Sequence, residues 1–184
     1  MSSSDWAHVA DAVAARDGLT SGLIAVDGHS GSGKSTFATE LVRALADRGR
    51  RSVLIGTDAY ATWDEPASWW PEMERDVLRS FARHQDYLYR PRVWVDGVPE
   101  TGPQVWERWQ PILIVEGVTS ARRSVADRLT AAYWVEGPSA AERLERTVAR
   151  DGEHDRANLA AWQQFEEGWF AVDRTRERCR VVRA

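Results

Sequence analysis

The stretch Gly28-His29-Ser30-Gly31-Ser32-Gly33-Lys34-Ser35 decides how this chain folds. It matches the pattern G-x-x-x-x-G-K-[ST] at every defined position. The glycines let the backbone curl until successive N–H groups point inward, and a helix that begins near Gly33 adds the positive end of its dipole. Such a loop cradles phosphate oxygens, so the stretch predicts a site for a nucleoside triphosphate.

Two side chains of this loop have specific expected roles. Lys34 reaches the β- and γ-phosphates, and the Ser35 hydroxyl can bind Mg²⁺. Lys34 is the only lysine among 24 lysines and arginines, and its compact ammonium group cannot simply be exchanged for an arginine fork. The predicted nucleotide-binding residues are Gly28, Ser30, Gly31, Ser32, Gly33, Lys34, Ser35 and Thr36. Nothing in the sequence chooses between ATP and GTP.

Short apolar runs on both sides of the loop predict the fold class. Residues 22–27 and 52–56 have the length of strands, and a helix is expected between them at 34–48. This order predicts a right-handed parallel crossover in an α/β fold. We expect further strands at 112–116, 132–136 and 181–182, an edge strand at 87–95, and helices at 4–16, 71–84, 121–130, 139–151, 157–171 and 173–178.

The composition is typical of one globular domain, which we expect to span residues 1–184. Hydrophobic residues make up 43% of the chain and charged residues 28%. The net charge of −4 argues against a nucleic-acid partner, and the single cysteine, Cys179, excludes an internal disulfide framework. No apolar run approaches the roughly 18 residues of a membrane span, and residues 1–6 lack a signal-peptide pattern. We therefore expect a cytoplasmic protein with no membrane partner, either a monomer or a homodimer.

Two acidic residues follow predicted strands at the edge where doubly wound sheets bind ligands. Asp58 comes just after the strand at 52–56, and Glu116 ends the strand at 112–116. Asp58 could accept the proton of an attacking hydroxyl or hold Mg²⁺, although a turn cap would also place an aspartate there. Glu116 closes a fully apolar strand, which favours a magnesium-facing role over a structural one. The predicted metal ligands are Ser35, Asp58 and Glu116.

Three arginines, Arg143, Arg146 and Arg150, are spaced to share one face of a predicted helix. Guanidinium groups match phosphate oxygens and stabilise the charge that develops during phosphoryl transfer. A solvated face paired with neighbouring glutamates would show the same spacing in an arginine-rich chain. Both interpretations therefore stay open at the level of the sequence.

Aromatic residues concentrate at 57–110, the predicted acceptor-binding segment, which holds Trp63, Trp69, Trp70, Trp94, Trp106 and Trp109. Core filling is the simpler explanation for any single tryptophan, whereas the set favours a pocket whose aromatic faces stack on a base or a sugar ring. Arg90 and Arg92 are close in sequence and could hold an anionic group. The predicted acceptor-binding residues are Tyr60, Trp63, Arg90, Trp94 and Glu116.

Four segments together resemble the uridine kinase-like branch of the P-loop kinases. They are Ile24–Thr36, Asp58-Ala59-Tyr60, Ile112–Gly117 and Arg143–Asp151, and residues 162–178 resemble small actinobacterial proteins of this type. The resemblance implies a nucleoside-monophosphate-kinase-like fold with three α/β/α layers and a five-stranded parallel sheet. It also implies an arginine-bearing lid at 139–156. In that family's pattern Asp58 would be the base, Arg146 and Arg150 the lid arginines, and Glu116 the strand-end acid.

The expected function is that of an enzyme, a phosphotransferase with an alcohol group as acceptor. It would transfer the γ-phosphoryl group of ATP, bound with Mg²⁺, to a hydroxyl of a nucleoside or similar metabolite. The expected catalytic residues are Lys34, Asp58, Arg146 and Arg150. One alternative is a nucleoside-monophosphate kinase, in which Arg90 or Arg92 holds the phosphate of the acceptor. Others are a nucleotide-binding switch or ATPase without a small-molecule acceptor, and a kinase-like protein that binds nucleotide without turnover.

Overall fold

The computed structural model describes residues 3–16 and 18–184, and for residues 3 and 4 the backbone alone. The elements in chain order are α1 (Ser3–Arg16), β1 (Gly22–Asp27), α2 (Lys34–Ala46), β2 (Ser52–Gly56), α3 (Trp70–Met73), α4 (Arg79–Ala82), β3 (Tyr87–Tyr89), β4 (Arg92–Val95), β5 (Val98–Thr101), β6 (Val105–Glu107), β7 (Ile112–Glu116), β8 (Leu129–Val135), α5 (Ala140–Asp151), α6 (Arg156–Asp173), α7 (Thr175–Arg178) and β9 (Arg180–Val182). A π-helical segment, Glu74–Leu78, joins α3 to α4. Short 3-10 turns cover Thr57–Ala59, Arg123–Arg128 and Glu153–Asp155.

Five parallel strands form the central sheet in the order β2-β7-β1-β8-β9. The strands β1 and β7 lie in the middle, and Ile24 of β1 pairs with Ile114 of β7. Both strands are apolar up to a final acidic residue, and their apolar residues are buried, as expected for a parallel sheet covered on both faces. The predicted five-stranded parallel sheet is confirmed.

Helices cover both faces of the sheet and give it three α/β/α layers. On one face α1 and α2 contribute Trp6, Phe37 and Leu41 to a core that includes Ile24. On the other face the segment after β2 and the α3–α4 region pack their buried side chains against Val115 and its neighbours. This arrangement leaves the carboxyl ends of the strands open to a ligand, as in other open α/β sheets. No helix in the described part of the chain is both long and apolar enough to cross a membrane.

Two consecutive predicted elements, a helix and the strand after it, differ in the structure. The helix expected at 121–130 is a 3-10 turn, and β8 begins at Leu129, earlier than the strand expected at 132–136. Leu129, a good helix former at the end of the expected helix, pairs instead with Leu23 of β1. Sheet pairing therefore overrides the local helix preference here.

The edge strand expected at 87–95 is divided between two small antiparallel sheets. Pro91 separates β3, which pairs with β6, from β4, which pairs with β5. The predicted turn at Asp96-Gly97 joins β4 to β5, and its two residues have φ angles of +48° and +75°. Positive φ at both central residues is typical of a two-residue hairpin turn.

Candidate active site

The glycine loop leaves β1 after Asp27 and enters α2 at Lys34, as predicted. Its glycines have no room for side chains. A Cβ atom on Gly31 would lie 2.7 Å from the carbonyl oxygen of Arg143, and Gly31 and Gly33 have φ angles of +74° and +101°. The backbone therefore follows a path that only glycine adopts readily at these positions. Three N–H groups of the loop, those of Gly28, Ser30 and Ser32, have acceptors within the protein.

The side chain of Lys34 folds back over the loop. Its Nζ donates a hydrogen bond of 2.9 Å to the carbonyl oxygen of His29, and the residue is 7% exposed. The ammonium charge acts on the acidic groups around it, because it lowers the pKa of Glu116 and of Asp27 against the effect of burial. A phosphate group in the loop would meet this charge directly.

The carboxyl group of Glu116 lies where β7 meets the loop. Burial raises its pKa to about 7, and the charge of Asp58 acts in the same direction. Lys34 and a hydrogen bond with Ser35 oppose this shift. The structure thus brings Ser35, Asp58 and Glu116, the three predicted metal ligands, to one place.

Their oxygen atoms are the kind of ligand that Mg²⁺ prefers, so this donor set fits the ion. The residues that the structure describes contain no group of three or more His, Cys, Asp or Glu side chains able to hold a metal. Mg²⁺ would therefore depend on nucleotide phosphates as well as on protein oxygens, which is its usual mode of binding.

A cavity of about 480 Å³, called here the loop cavity, lies over the glycine loop. Its lining includes Trp6, Ser30, Gly31, Gly33, Lys34, Ser35, Thr36, Asp58, Glu116, Gly117, Val118, Arg146, Thr147 and Arg150. All four predicted catalytic residues are in this set. The structure therefore gathers them around a space large enough for a phosphate-bearing ligand.

A second cavity of about 430 Å³, called here the tryptophan cavity, opens beside the first. It is lined by Ser30, Asp58, Trp63, Trp94, Asp96, Gly97, Thr147, Arg150, Asp151, His154, Asp155, Leu159 and Trp162. Four residues, Ser30, Asp58, Thr147 and Arg150, line both cavities. The two spaces therefore meet at the residue predicted to be the base.

Three tryptophans form the aromatic wall of the second cavity. The ring of Trp63 meets Trp94 at 4.9 Å and Trp162 at 5.6 Å, in both cases nearly edge to face. Trp63 Nε1 donates to the carbonyl oxygen of Gly97 at 2.7 Å, which ties the wall to the β4–β5 turn. Trp162 belongs to α6 and was not predicted as a site residue, since no sequence signal links it to Trp63.

The three arginines of α5 have different positions. Arg146 and Arg150 line the loop cavity, and Arg150 forms a two-pronged pair with Asp151 at 2.6 and 2.7 Å. The hydrogen bond with Asp151 raises the pKa of Arg150, and the charges of Asp58 and Glu116 act in the same direction. Arg143 is buried and donates to the carbonyl oxygen of Pro138 at 2.9 Å, and its backbone packs against Gly31 of the glycine loop.

Three predicted acceptor-binding residues do not line the tryptophan cavity: Glu116 lines the loop cavity alone, and Tyr60 and Arg90 line neither cavity. Tyr60 is 1% exposed in the core and stacks on Tyr89, because the 3-10 turn directs its ring under the sheet. Arg90 lines a separate groove with Arg75 and other residues. Arg92, the other candidate for holding a phosphate, pairs with Glu72 at 3.0 Å.

The remaining tryptophans of the segment 57–110 are divided among other environments. Trp69 and Trp70 stack on the guanidinium of Arg122 at 4.6 and 5.1 Å. Trp109 donates to the carbonyl oxygen of Phe81, and Trp106 is 60% exposed. The expectation that the tryptophans line a pocket as a set therefore applies to Trp63 and Trp94 alone.

Asp27 is a buried acid of the site that sequence reasoning missed. Its carboxylate accepts N–H groups from Gly28, Thr119 and Ala121 at 2.7 to 3.0 Å. Burial raises its pKa to about 6 against the effect of these hydrogen bonds. Asp27 thus ties the start of the glycine loop to the segment after β7. The sequence did contain a signal for Asp27, since it ends an apolar strand just as Glu116 does.

Glu166 is the second missed residue, and it comes from the far end of the chain. Both of its carboxylate oxygens lie 3.0 Å from the backbone nitrogen of Ser30, and it also accepts the Ser30 hydroxyl. His29 Nδ1 lies 3.3 Å away. Although burial raises the pKa of Glu166, His29, Lys34 and Ser30 together bring it below its ordinary value. Nothing in the local sequence of α6 signals this contact.

The fold and the site define a P-loop nucleoside-triphosphate-binding protein of α/β class. A family model described as the CobQ/CobB/MinD/ParA nucleotide binding domain (CbiA) matches residues 23–161, and the chain belongs to this family. Its nucleotide-binding character is therefore established at the level of the family. Among curated proteins, none matches the chain.

Solved structures with kinase descriptions share this fold. One, from Bacillus stearothermophilus and described as a possible uridine kinase, is 13% identical with a TM-score of 0.71, over 96% of this chain and 98% of that one. Another, from a Silicibacter species and described as a candidate fructose transport system kinase, is 20% identical with a TM-score of 0.56, over 94% of this chain and 96% of that one. The resemblance to P-loop kinases is thereby confirmed for the fold.

Proposed function

We propose that this chain is a kinase that transfers the γ-phosphoryl group of ATP to a hydroxyl group of a nucleoside or a similar small molecule. The meeting of the two cavities at Asp58 and Arg150 carries the proposal. A triphosphate on the glycine loop and an acceptor among the tryptophans would approach each other at these two residues. The kinase descriptions of the structural neighbours support the same class of reaction.

In the proposed reaction Asp58 is the base. The acceptor oxygen attacks the γ-phosphorus in line with the bond to the β-phosphate oxygen, that bond breaks, and ADP leaves. The proton of the acceptor hydroxyl passes to the Asp58 carboxylate. Lys34 and the loop N–H groups hold the phosphates, while Arg146 and Arg150 stabilise the charge on the transferred group. Arg150 would exchange part of its bond with Asp151 for phosphate oxygens.

Magnesium has an expected place in this reaction. Ser35, Glu116 and Asp58 are the residues that would hold it beside the nucleotide phosphates. Bound there, the ion would neutralise phosphate charge. Glu116 must be ionised to serve as a ligand, and its raised pKa means that binding would release a proton at neutral pH.

We propose that two separate segments of the chain supply the acceptor side and the phosphate side of the site. Asp58, Trp63, Trp94, Asp96 and Gly97, from residues 57–110, supply the acceptor side of the tryptophan cavity. Residues 139–156 supply Arg146, Thr147 and Arg150, which we propose as the lid over the phosphates. We also propose that one domain carries the activity, that the protein works in the cytoplasm where ATP is plentiful, and that it is a monomer or a homodimer.

A nucleotide-binding switch or ATPase is the second candidate. The family description names nucleotide binding and no group transfer, which favours it. It differs from a kinase in one measurable respect, since its ATP consumption does not depend on a small-molecule acceptor. The monophosphate-kinase alternative has less support, because Arg90 faces a separate groove and Arg92 is paired with Glu72.

The test is incubation with ATP and Mg²⁺ and a mixed panel of nucleosides, nucleotides and hydroxylated metabolites. Mass spectrometry would search for products heavier by one phosphoryl group. We expect such a product from the natural chain and from the control Arg51→Ala, which changes an exposed basic residue outside both cavities. Lys34→Ala should lower the rate by at least about a hundredfold. ATP binding without any phosphorylated product would contradict the kinase and favour the switch.

A further inference from the structure

The tryptophan cavity carries a strong excess of negative charge. Four aspartates line it, Asp58, Asp96, Asp151 and Asp155, against two basic side chains, Arg150 and His154. Both carboxylate oxygens of Asp151 are engaged by Arg150, and Arg150 also belongs to the loop cavity. An acceptor in this space would therefore meet more carboxylate than cation.

Two of these aspartates come from segments that pack against each other at the cavity. Asp96 is at the tip of the β4–β5 hairpin, and Asp155 is in the turn just before α6. A Cβ atom on Gly97 would lie 2.7 Å from Asp155 Oδ1, so the hairpin tip is packed directly against that carboxylate. Asp155 is 6% exposed, and its polar neighbours are Asn158 at 3.5 Å and His154 Nε2 at 3.4 Å.

The aromatic wall stands beside these carboxylates. Trp63 and Trp94 come from the segment that carries the hairpin, and Trp162 from the helix that follows Asp155. The faces of tryptophan rings attract cations, and this attraction increases where water is excluded. Aromatic rings next to carboxylates thus match an organic cation better than a neutral group or an anion.

We propose that the acceptor is a hydroxylated amine, a small molecule that carries both an ammonium group and the hydroxyl that is phosphorylated. This inference rests on the proposed kinase function and specifies its substrate class. The ammonium group would lie between Asp96, Asp155 and the tryptophan rings, and the hydroxyl would face Asp58. Phosphorylated acceptors are disfavoured, since Arg150 is the only arginine lining this cavity in the described part of the chain and it is needed for the transferred phosphoryl group.

The carboxylates also decide which atom of the acceptor reacts. An amine held as its ammonium cation has no lone pair to attack phosphorus. The hydroxyl oxygen is therefore the nucleophile: its bond to the γ-phosphorus forms, the bond from that phosphorus to the β-phosphate oxygen breaks, and the hydroxyl proton goes to Asp58. The ammonium group keeps its protons throughout.

Acceptors that share a skeleton and differ in one group test this inference. One series is glucosamine, glucose and glucose phosphate, and a second is aminopropanediol, glycerol and glycerol phosphate. Transfer from labelled ATP is measured for each, and tryptophan fluorescence follows binding in the presence of a non-hydrolysable ATP analogue. The variant is Asp96→Asn, because asparagine tolerates the positive φ of this residue. The control is Glu100→Gln, an exposed charge on the same hairpin outside the cavity.

We expect the amines to have a kcat/KM at least about tenfold above their neutral partners, with no turnover of the phosphates. Asp96→Asn should reduce this preference about three- to tenfold through KM for the amine, and leave the neutral compounds and the control unchanged. Equal use of amine and neutral acceptors, or a preference for the phosphates, would overturn the inference that the acceptor is a hydroxylated amine. The same result would still support the proposed kinase function.

The binding measurements test the cation-binding cavity separately from the kinase activity. If no acceptor is phosphorylated, the kinase fails and the fluorescence titration decides the inference. Amine binding that weakens in Asp96→Asn but not in Glu100→Gln would support a cation-binding cavity. Amine binding that is absent, or is the same in both variants, would overturn it.

Discussion

Glu166 accepts the backbone N–H of Ser30 at 3.0 Å, although 136 positions separate the two residues in the chain. A helix near the carboxyl terminus thereby holds the entrance of the phosphate loop. The ring of His29 lies beside the same carboxylate. It packs edge to face against the rings of Trp134 and Phe170, with centroid distances of 5.4 and 4.9 Å. Packing of α6 therefore contributes directly to the shape of the nucleotide site.

Replacement of Glu166 by alanine should loosen the loop. The Ser30 N–H would lose its buried acceptor, which costs about 1 to 3 kcal/mol of the free energy of unfolding, and nucleotide affinity should fall several-fold. Thermal unfolding and a fluorescence titration with an ATP analogue measure both effects. The matched control is Glu167→Ala, since Glu167 is the exposed neighbour in α6. Identical behaviour of the two variants would show that the contact does not support the loop.

The substitution Asp27→Asn should destabilise the protein by about 1 to 3 kcal/mol. Asparagine keeps the shape of the side chain, but its NH₂ group would face N–H donors from Gly28, Thr119 and Ala121 that now point at carboxylate oxygens. Urea unfolding at neutral pH measures the loss. Asp47→Asn, at an exposed position after α2, should change little, and a loss of the same size there would contradict this account.

The pH dependence of stability should show the raised pKa of Glu116. The carboxyl group of Glu116 binds its proton more tightly in the folded protein than in the unfolded chain. Its stabilising contribution to the free energy of unfolding is therefore full below pH 4.5 and is lost as the pH rises to about 7. The loss amounts to as much as about 3 kcal/mol. Asp27, with a pKa of about 6, contributes in the same direction.

The variant Glu116→Gln isolates this effect, because glutamine does not titrate. The free energy of unfolding, measured without nucleotide between pH 4.5 and 8, should fall less steeply in the variant than in the natural chain. The variant should also be the more stable of the two near pH 8. Parallel curves for the two proteins would mean that Glu116 titrates in its ordinary range.

Asp58→Asn should remove the proposed base without removing the nucleotide. We expect kcat to fall by about a hundredfold to ten-thousandfold, while ATP affinity measured without Mg²⁺ changes little, since Lys34 and the loop remain. Steady-state kinetics with an identified acceptor, together with ATP-analogue titration, separate the two quantities. Asp64→Asn changes an exposed aspartate outside both cavities and should keep full activity. An unchanged kcat in Asp58→Asn would assign the proton transfer to another group.

The sheet and the loop could be predicted because their signals are local. The strands β1, β2 and β7 are short apolar runs, and the glycine loop has a fixed spacing, so each is recognisable within a few residues. The start of β8 was missed because Leu129 is compatible with helix, and its pairing with β1 decides the outcome. Local pattern fails where the neighbouring strand supplies the stabilising contacts.

Aromatic side chains of residues 57–110 show what the sequence could not predict, because neighbouring rings have different environments. Trp63 lines the tryptophan cavity, whereas Trp69, six residues later, stacks on Arg122. Tyr60, two residues after Asp58, is directed into the core. The environment of each aromatic ring is set by elements distant in sequence. The composition of residues 57–110 alone could therefore not show which rings line the cavity and which pack elsewhere.

The sequence by itself determined the glycine loop and its place between β1 and α2. The glycines, Lys34 and Ser35 specify a phosphate-binding loop because backbone geometry and one charge suffice for that purpose. The tertiary structure alone decided which groups line the tryptophan cavity, since Trp162, Asp155 and Asp96 meet Asp58 only after α6 and the β4–β5 hairpin pack together. Contacts between distant segments depend on how whole elements pack, and no local spacing encodes them.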